Sequence, residues 1–337
     1  MDDIHQILDG IVMPGKKVLA TIIEVEGSSY KKAGAAMLFL ENGAQAGMLS
    51  AGCLEEDLKL RTNEVWESGR AMTIHFDLRS EADDGWGQGF GCDGAITILL
   101  EPVDEKLTAD FLKIKNFLDA NIPVIMIKKI ETEIEYFFVP YEGEPFGWWQ
   151  SELPVIDEAE IKSGMIPGTS IFQHLLQPKP RLILFGAGQD AKPLVSLAVK
   201  SGFSVVVCDW REALCTKKNF PEADHFIIGF PRELGRKLSL IHDDLVVIMT
   251  HDFQKDREIL EWVLAENVNY IGVLGPKERT KRLLRQKEIP VPIYAPVGFS
   301  IGAVGSEEIA VSIVAQLIAV CRKPSRMKAK NLWAVPD

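Results

Sequence analysis

The sequence predicts an α/β chain: a C-terminal Rossmann-like parallel sheet with helices on both faces, preceded by an N-terminal α+β domain. Three observations carry this. First, residues 181–209 (RLILFGAGQDAKPLVSLAVKSGFSVVVCD) run from an apolar strand through Gly186-Ala187-Gly188 into a helical pattern, then a β-branched strand ending in Asp209. That order is the fingerprint of a nucleotide-binding βαβ unit. Second, apolar runs at 226–228, 245–249 and 270–274 alternate with helical or charged segments, as in a parallel sheet covered on both faces. Third, the upstream half mixes short strands, a hairpin signal at Asn42-Gly43 and amphipathic helices, the pattern of an α+β domain.

Taken in order, Ile4, Ile7, Leu8 and Ile11 fall at helical spacing and open the chain with a short helix. A strand over 18–25 feeds a glycine-bounded loop, 27–34, that holds two serines and two lysines. A strand over 36–40 turns at Asn42-Gly43, and the return leads to Leu49-Ser50-Ala51-Gly52-Cys53. A helix follows from Leu54 and stops at Gly69, where glycine suits the left-handed end of a helix. Next come a strand over 71–76, the loop SEADDGWGQGFGCDG (80–94), a strand over 95–100, a helix over 107–118, and strands over 124–127 and 133–139. Residues 141–180, with scattered prolines and two adjacent tryptophans, read as the end of the first domain plus a connector. The domains are therefore placed at 1–177 and 178–337. A helix over 307–320 closes the second, with Ser306 as its expected N-cap and Glu307 and Glu308 at the positive end of the dipole.

The whole chain bounds what it can do. Its 337 residues suit two domains, and 47% hydrophobic with 25% charged residues is an ordinary soluble composition. A net charge of −11 argues against nucleic acid or an anionic membrane surface as main partner. No stretch approaches the roughly 20 apolar residues of a membrane span, and the start MDDIHQILDG has no signal-peptide pattern. Five cysteines at irregular spacing make no disulfide framework, so a reducing, cytoplasmic compartment with free thiols is expected.

Chemistry concentrates at three places. In the glycine loop, Gly186 permits the tight turn, Gly188 opens the backbone to a pyrophosphate, and Gln189 and Asp190 lead into a helix N-terminus with free N–H groups. Asp209 suits a ribose hydroxyl; Arg211, two residues on, leaves open whether that ribose carries a 2′-hydroxyl or a 2′-phosphate. Thr250-His251-Asp252 ends the 245–249 strand at its ligand-binding edge, with His251 a candidate acid or base and Asp252 a helix cap. Lys277 and Arg279 follow another strand end; they could meet a phosphate or be simply solvated. Among the cysteines, Cys53 is expected in a first helical turn, where the dipole lowers a thiol pKa and Glu55, Glu56 and Asp57 oppose it. Cys92 lies among Gly89, Gly91 and Gly94. The two are either soft metal ligands or small buried apolar residues. Cys208, Cys215 and Cys321 read as structural, and no ligand spacing suits zinc. The 27–34 loop is either an anion nest or a solvated hairpin loop.

The segments SAGCLEED, FGCDGAITILLEP, LILFGAGQDAKPL, VVVCDWR, MTHDFQKD, YIGVLGPKERTKRLL and IGAVGSEEIAVSIVAQLIA together resemble the XdhC/CoxI family of xanthine dehydrogenase accessory proteins. The resemblance covers nearly the whole chain apart from 141–180 and the tail. It implies a maturation factor that binds the molybdenum–pterin cofactor, supports exchange of an oxygen ligand for sulfur, and delivers the cofactor to a xanthine dehydrogenase-type molybdenum hydroxylase. A cysteine desulfurase is the implied sulfur donor, and a homodimer is an expected assembly. The family's two Gly-Cys motifs map onto Gly52-Cys53-Leu54-Glu55 and Gly91-Cys92-Asp93-Gly94, which makes Cys53 and Cys92 the implied molybdenum ligands. The candidate reactive groups are then Cys53, Cys92, Glu55 and His251. Gly186, Gly188, Gln189, Asp190, Asp209, Arg211, Thr250 and His251 form the nucleotide set, for NAD, another nucleotide or the cofactor's own phosphate. The competing readings are an NAD-dependent oxidoreductase, with His251 its one acid–base candidate, and a nucleotide-sensing binding protein.

Overall fold

The structure, a computed structural model, describes residues 4–50, 52, 54–79, 94–150 and 161–322. Its contacts divide the chain into two compact units that meet in sequence between Pro178 and Lys179.

The first unit opens with α1 (Ile4–Ile11), which buries all four of its isoleucine and leucine residues. There follow β1 (Lys17–Gly27), β2 (Ala36–Leu40), β3 (Gln45–Gly47), α2 (Glu55–Ser68), β4 (Met72–Asp77) and β5 (Gly94–Pro102). These strands form one antiparallel sheet in the order β3-β2-β1-β5-β4. The Asn42-Gly43 signal makes the β2–β3 hairpin, with Gly43 N–H donating to the Leu40 carbonyl at 2.9 Å. Gly69 ends α2 in the left-handed region and donates to Val65, as its type requires.

Next come α3 (Glu105–Asp119), whose Asp104 side chain accepts from the Leu107 N–H, then β6 (Val124–Ile130) and β7 (Ile134–Pro140). Here the sequence expectation needs correcting. Residues 141–180, read as the end of the first domain plus a connector, also supply strands the sequence reading did not identify: β8 (Phe146–Trp148), β9 (Gly164–Met165) and β10 (Ile171–Leu176). With β6 and β7 these build a second antiparallel sheet, ordered β8-β7-β6-β10-β9. β8 and β9, of three and two residues, carry too little alternation to be read, while β10, of six residues, pairs with β6 earlier in the chain. One core joins α1 and α3 to residues of both sheets, including Leu19, Leu38, Met126, Phe138 and Phe172. Within it, buried Glu101 of β5 accepts from buried Lys128 of β6 and from the Tyr136 hydroxyl of β7. Burial, and then the Glu101 charge, pushes the Tyr136 hydroxyl well above its ordinary pKa.

The second unit alternates strand and helix: β11 (Arg181–Phe185), α4 (Ala191–Lys200), β12 (Ser204–Asp209), β13 (His225–Ile228), α5 (Pro231–Lys237), β14 (Leu245–Ile248), α6 (Phe253–Ala265), β15 (Tyr270–Val273), α7 (Lys277–Leu284), β16 (Ile293–Tyr294) and α8 (Ser306–Cys321). All pairings are parallel, in the order β13-β12-β11-β14-β15-β16. That is the doubly wound order with its switch point between the first and fourth strands. Alternate residues of each strand face opposite cores. Leu182, Leu184, Val205 and Val207 pack with α4 and α8, while Ile183, Phe185, Val206 and Cys208 pack with α5, α6 and α7. Ser306 does not cap α8; Gly305 holds the cap position and Ser306 Oγ donates to Glu307. Cys208 and Cys215 are buried as expected, but Cys321 at the end of α8 is exposed.

Candidate functional site

At the carboxyl edge of the parallel sheet, Gly186 takes φ +119, and a side chain there would run into the Met249 carbonyl. Only glycine fits that crossing of β11 past β14. Gly188 has a different neighbour: the space beside it is filled by Asp190 Oδ1. Asp190 Oδ2 in turn bonds His251 Nε2 at 2.6 Å. His251 is 60% exposed on its side chain and sits at φ +61, a left-handed conformation uncommon for a non-glycine residue but tolerated by His better than by most. The sheet thus brings Asp190 and His251, from two different strand ends, into one acid–imidazole pair.

The helix N-terminus is less open than the sequence suggests. The Ala191 and Lys192 N–H groups turn back onto Gly188 and Gln189 carbonyls at 3.3 Å, and Pro193 has no N–H. The main-chain N–H groups of Gly188, Gln189 and Asp190 make no hydrogen bond to any described residue. Free donors therefore lie in the loop, where consecutive N–H groups suit an anion.

Asp209 is where the sequence places it, at the end of β12, but its carboxylate is turned inward. It accepts from Ala187 N–H at 2.6 Å and from Arg211 through Nε, Nη2 and the main chain at 2.7–2.9 Å. Burial alone would raise its pKa; the Arg211 and Ala187 hydrogen bonds outweigh burial and hold it below the ordinary carboxylate value. Thr250, by contrast, is committed to support. Its hydroxyl donates to buried Asp256 at 2.5 Å, and Asp256 also receives Arg279 at 2.7 Å. Asp252 caps α6, accepting from Gln254 and Lys255 N–H at 3.0 Å. Trp210 was not singled out from sequence: Arg211 and Lys255 both lie over its ring, at 4.6 and 4.3 Å. Its position directly after Asp209 is the one signal that could have marked it.

In the first unit, Cys53, Gly91 and Cys92 lie outside the described residues, but Gly52 and Leu54 on either side of Cys53 are described. Glu55 accepts from Ser50 N–H at 2.8 Å, from Ser50 Oγ, and from Leu54 N–H at 3.2 Å. Ser50 Oγ accepts in addition from Gly52 and Leu54 N–H, each at 3.2 Å. Burial raises the Glu55 pKa, and these hydrogen bonds more than reverse it. Glu55 is therefore tied to the backbone on either side of the Gly52-Cys53 step. Ser50, its partner, was missed in the sequence because the contact spans five residues across a turn.

Register then relates the two cysteine segments. Gly27 pairs with Gly94 and Asp77 with Ala95. Gly47 pairs with Met37 near the start of β2. The chain consequently leaves β3 toward 48–54, leaves β4 toward 78–93 and re-enters β5 at the end of the sheet toward which β1 runs. Leu49 and Leu54 beside one segment share a hydrophobic cluster with Leu78 and Ile96 beside the other, so these described flanks lie on one face. Among the described residues, no group of three or more His, Cys, Asp or Glu could hold a metal ion, and no helix is long and apolar enough to cross a membrane.

Comparison with known proteins gives this geometry a family. Family models described as "XdhC and CoxI family", "BH1974-like, central domain" and "XdhC Rossmann domain" match residues 14–77, 105–177 and 182–317. The chain is 41% identical over 324 residues to a probable xanthine dehydrogenase subunit of Bacillus subtilis (strain 168), covering 94% of this chain and 97% of that one. It is 24% identical over 317 residues to "Molybdenum cofactor insertion chaperone PaoD" of Escherichia coli (strain K12), covering 92% and 85%. A crystal structure described as a xanthine dehydrogenase (BH1974) from Bacillus halodurans superimposes with TM-score 0.88 at 46% identity, over 98% of this chain and 99% of that one. With such identity across almost the full length of both chains, this protein belongs to the XdhC and CoxI family.

Proposed function

We propose that this chain is a maturation factor for a xanthine dehydrogenase-type molybdenum hydroxylase. It binds the molybdenum–pterin cofactor, keeps it while sulfur replaces an oxygen ligand, and inserts it into the apo-enzyme in the cytoplasm, with a cysteine desulfurase as sulfur donor. One observation supports this reading: the described flanks of the two cysteine segments, Leu49 and Leu54 on one side and Leu78 and Ile96 on the other, share one cluster at one end of the first sheet. Thiolates are soft donors suited to a molybdenum–dithiolene centre, and Glu55 bonds the main chain of both Ser50 and Leu54, which flank the Gly52-Cys53 pair. The relative named as a molybdenum cofactor insertion chaperone supports the same role. The bound cofactor would supply the redox-active metal; the chain's own residues bind, orient and shield it. In the Rossmann unit, the free N–H groups of Gly188, Gln189 and Asp190 suit a phosphate or a nucleotide.

The test is reconstitution. Protein purified anaerobically from cofactor-producing cells is mixed with apo-hydroxylase, and purine oxidation is followed. Activation that depends on the added chain supports the role, whereas apo-enzyme activated equally by free cofactor counts against it. The Asp190–His251 pair favours a second reading, an NAD-dependent oxidoreductase with His251 as acid or base. Steady turnover at 340 nm by the isolated chain with NAD and a purine would establish that one instead.

A further inference from the structure

Rossmann folds that bind an unphosphorylated dinucleotide use the acid at the end of the second strand to accept from ribose hydroxyls; a nearby arginine instead accommodates a 2′-phosphate. Asp209 stands at that position, and its acceptor capacity can be counted. An ionised carboxylate offers about four lone-pair sites. Ala187 N–H and Arg211 Nη2 take two on Oδ2, and Arg211 N–H and Nε take two on Oδ1. Asp209 is also only 2% exposed. A ribose hydroxyl would find neither a free lone pair nor an open approach.

Arg211 is the reverse case. Of its five side-chain N–H bonds, two are spent on Asp209 and three remain, on a side chain that is 38% exposed. The two-pronged bond to Asp209 and the Trp210 ring beside it fix the guanidinium plane. Lys255 adds a second cation over the same ring while bonded to Asp252. Two carboxylates stand nearby: Asp190, already bonded to His251, and exposed Glu212. The unbonded N–H groups of Gly188, Gln189 and Asp190 follow directly on Ala187, which itself bonds Asp209.

We propose that the subsite at the end of β12 takes a phosphomonoester, gripped by the outward edge of Arg211, and that Asp209 is a positioning residue that aims Arg211 rather than a ribose ligand. This rests on the nucleotide-binding reading of the Rossmann unit. Two ligands supply that chemistry: a dinucleotide phosphorylated on its ribose, and the phosphate end of the pterin cofactor.

Calorimetric titration of the full chain with NADP+ and NAD+, together with pterin fluorescence after purification from cofactor-producing cells, tests it in wild type, Arg211→Ala and Arg211→Lys. If the phosphate is on a ribose, wild type binds NADP+ at least about tenfold tighter than NAD+. In Arg211→Ala that ratio falls to one or below, because Asp209 regains acceptor sites for ribose hydroxyls. Arg211→Lys, which keeps the charge without the fork, falls between. If the phosphate is the cofactor's, pterin retention drops about tenfold in Arg211→Ala, and inorganic phosphate releases pterin from wild type. Pterin content unmoved by Arg211→Ala, together with either tighter binding of NAD+ than NADP+ or a ratio unmoved by that change, overturns the phosphate subsite while leaving a nucleotide site standing. Absence of any dinucleotide binding, with pterin retention unchanged in Arg211→Ala, overturns the nucleotide reading as well.

Discussion

Glu55 and Asp209 hold two turns, one in each unit, and the difference between them shows what each turn is for. Both are partly withdrawn from water, which would raise their pKa, and in both hydrogen bonding outweighs burial. Glu55 is held by neutral donors, the Ser50 hydroxyl and two main-chain N–H groups, around the Gly52-Cys53 step. Asp209 is held by two bonds from a cation and two from main-chain N–H groups, and that cation keeps an outward edge. One carboxylate steadies a backbone that carries a thiol. The other turns a negative site into a positive one.

The largest effect should come from breaking the charged member. Asp209→Ala leaves Arg211 without its partner and the Ala187 N–H unsatisfied, and is expected to cost about 3 kcal/mol or more in urea unfolding. Glu55→Gln keeps an acceptor for some of the same donors and should cost about 1–2 kcal/mol. Its sharper readout is molybdenum retention, expected to fall with both thiols intact; unchanged retention would remove Glu55 from the site. Acid titration separates the pair further. Each carboxyl has a folded pKa below its unfolded value, so each contributes stability that is present above the ordinary range near pH 4 and lost as pH falls through the folded pKa. Unfolding free energy should therefore decline less steeply below pH 5 in either variant than in wild type. The smallest effect is expected from His251→Asn, because its pair with Asp190 is exposed: under about 0.5 kcal/mol. A larger loss would make the pair structural.

Much of this was legible in the sequence wherever the signal is local. Leu182 to Phe185 followed by Gly186 must read as strand and turn, because the apolar run and the glycine conformation are set within a few residues. Asp252 as a cap and Gly69 as a stop are local in the same way. The second antiparallel sheet was only partly legible, since β8 and β9 hold only three and two residues and β10 pairs with β6 across the intervening β7 to β9. The inward turn of Asp209 also escaped: its spacing from Gly188 suits a ribose ligand, and only the geometry of Arg211 and Ala187 shows its acceptor sites filled. Pro193, visible in the sequence, removes an N–H from the α4 terminus, a consequence of chemistry that the glycine pattern overshadowed.

Cys53 and Cys92 are proposed to serve one molybdenum site. Molybdenum content per chain, measured after anaerobic co-expression with a cofactor source, tests it most directly. The expected result is near-stoichiometric metal in wild type and loss of most of it in Cys53→Ser and in Cys92→Ser, with the double variant no worse than either single one. Wild type without molybdenum, or either single variant retaining it in full, would contradict the claim.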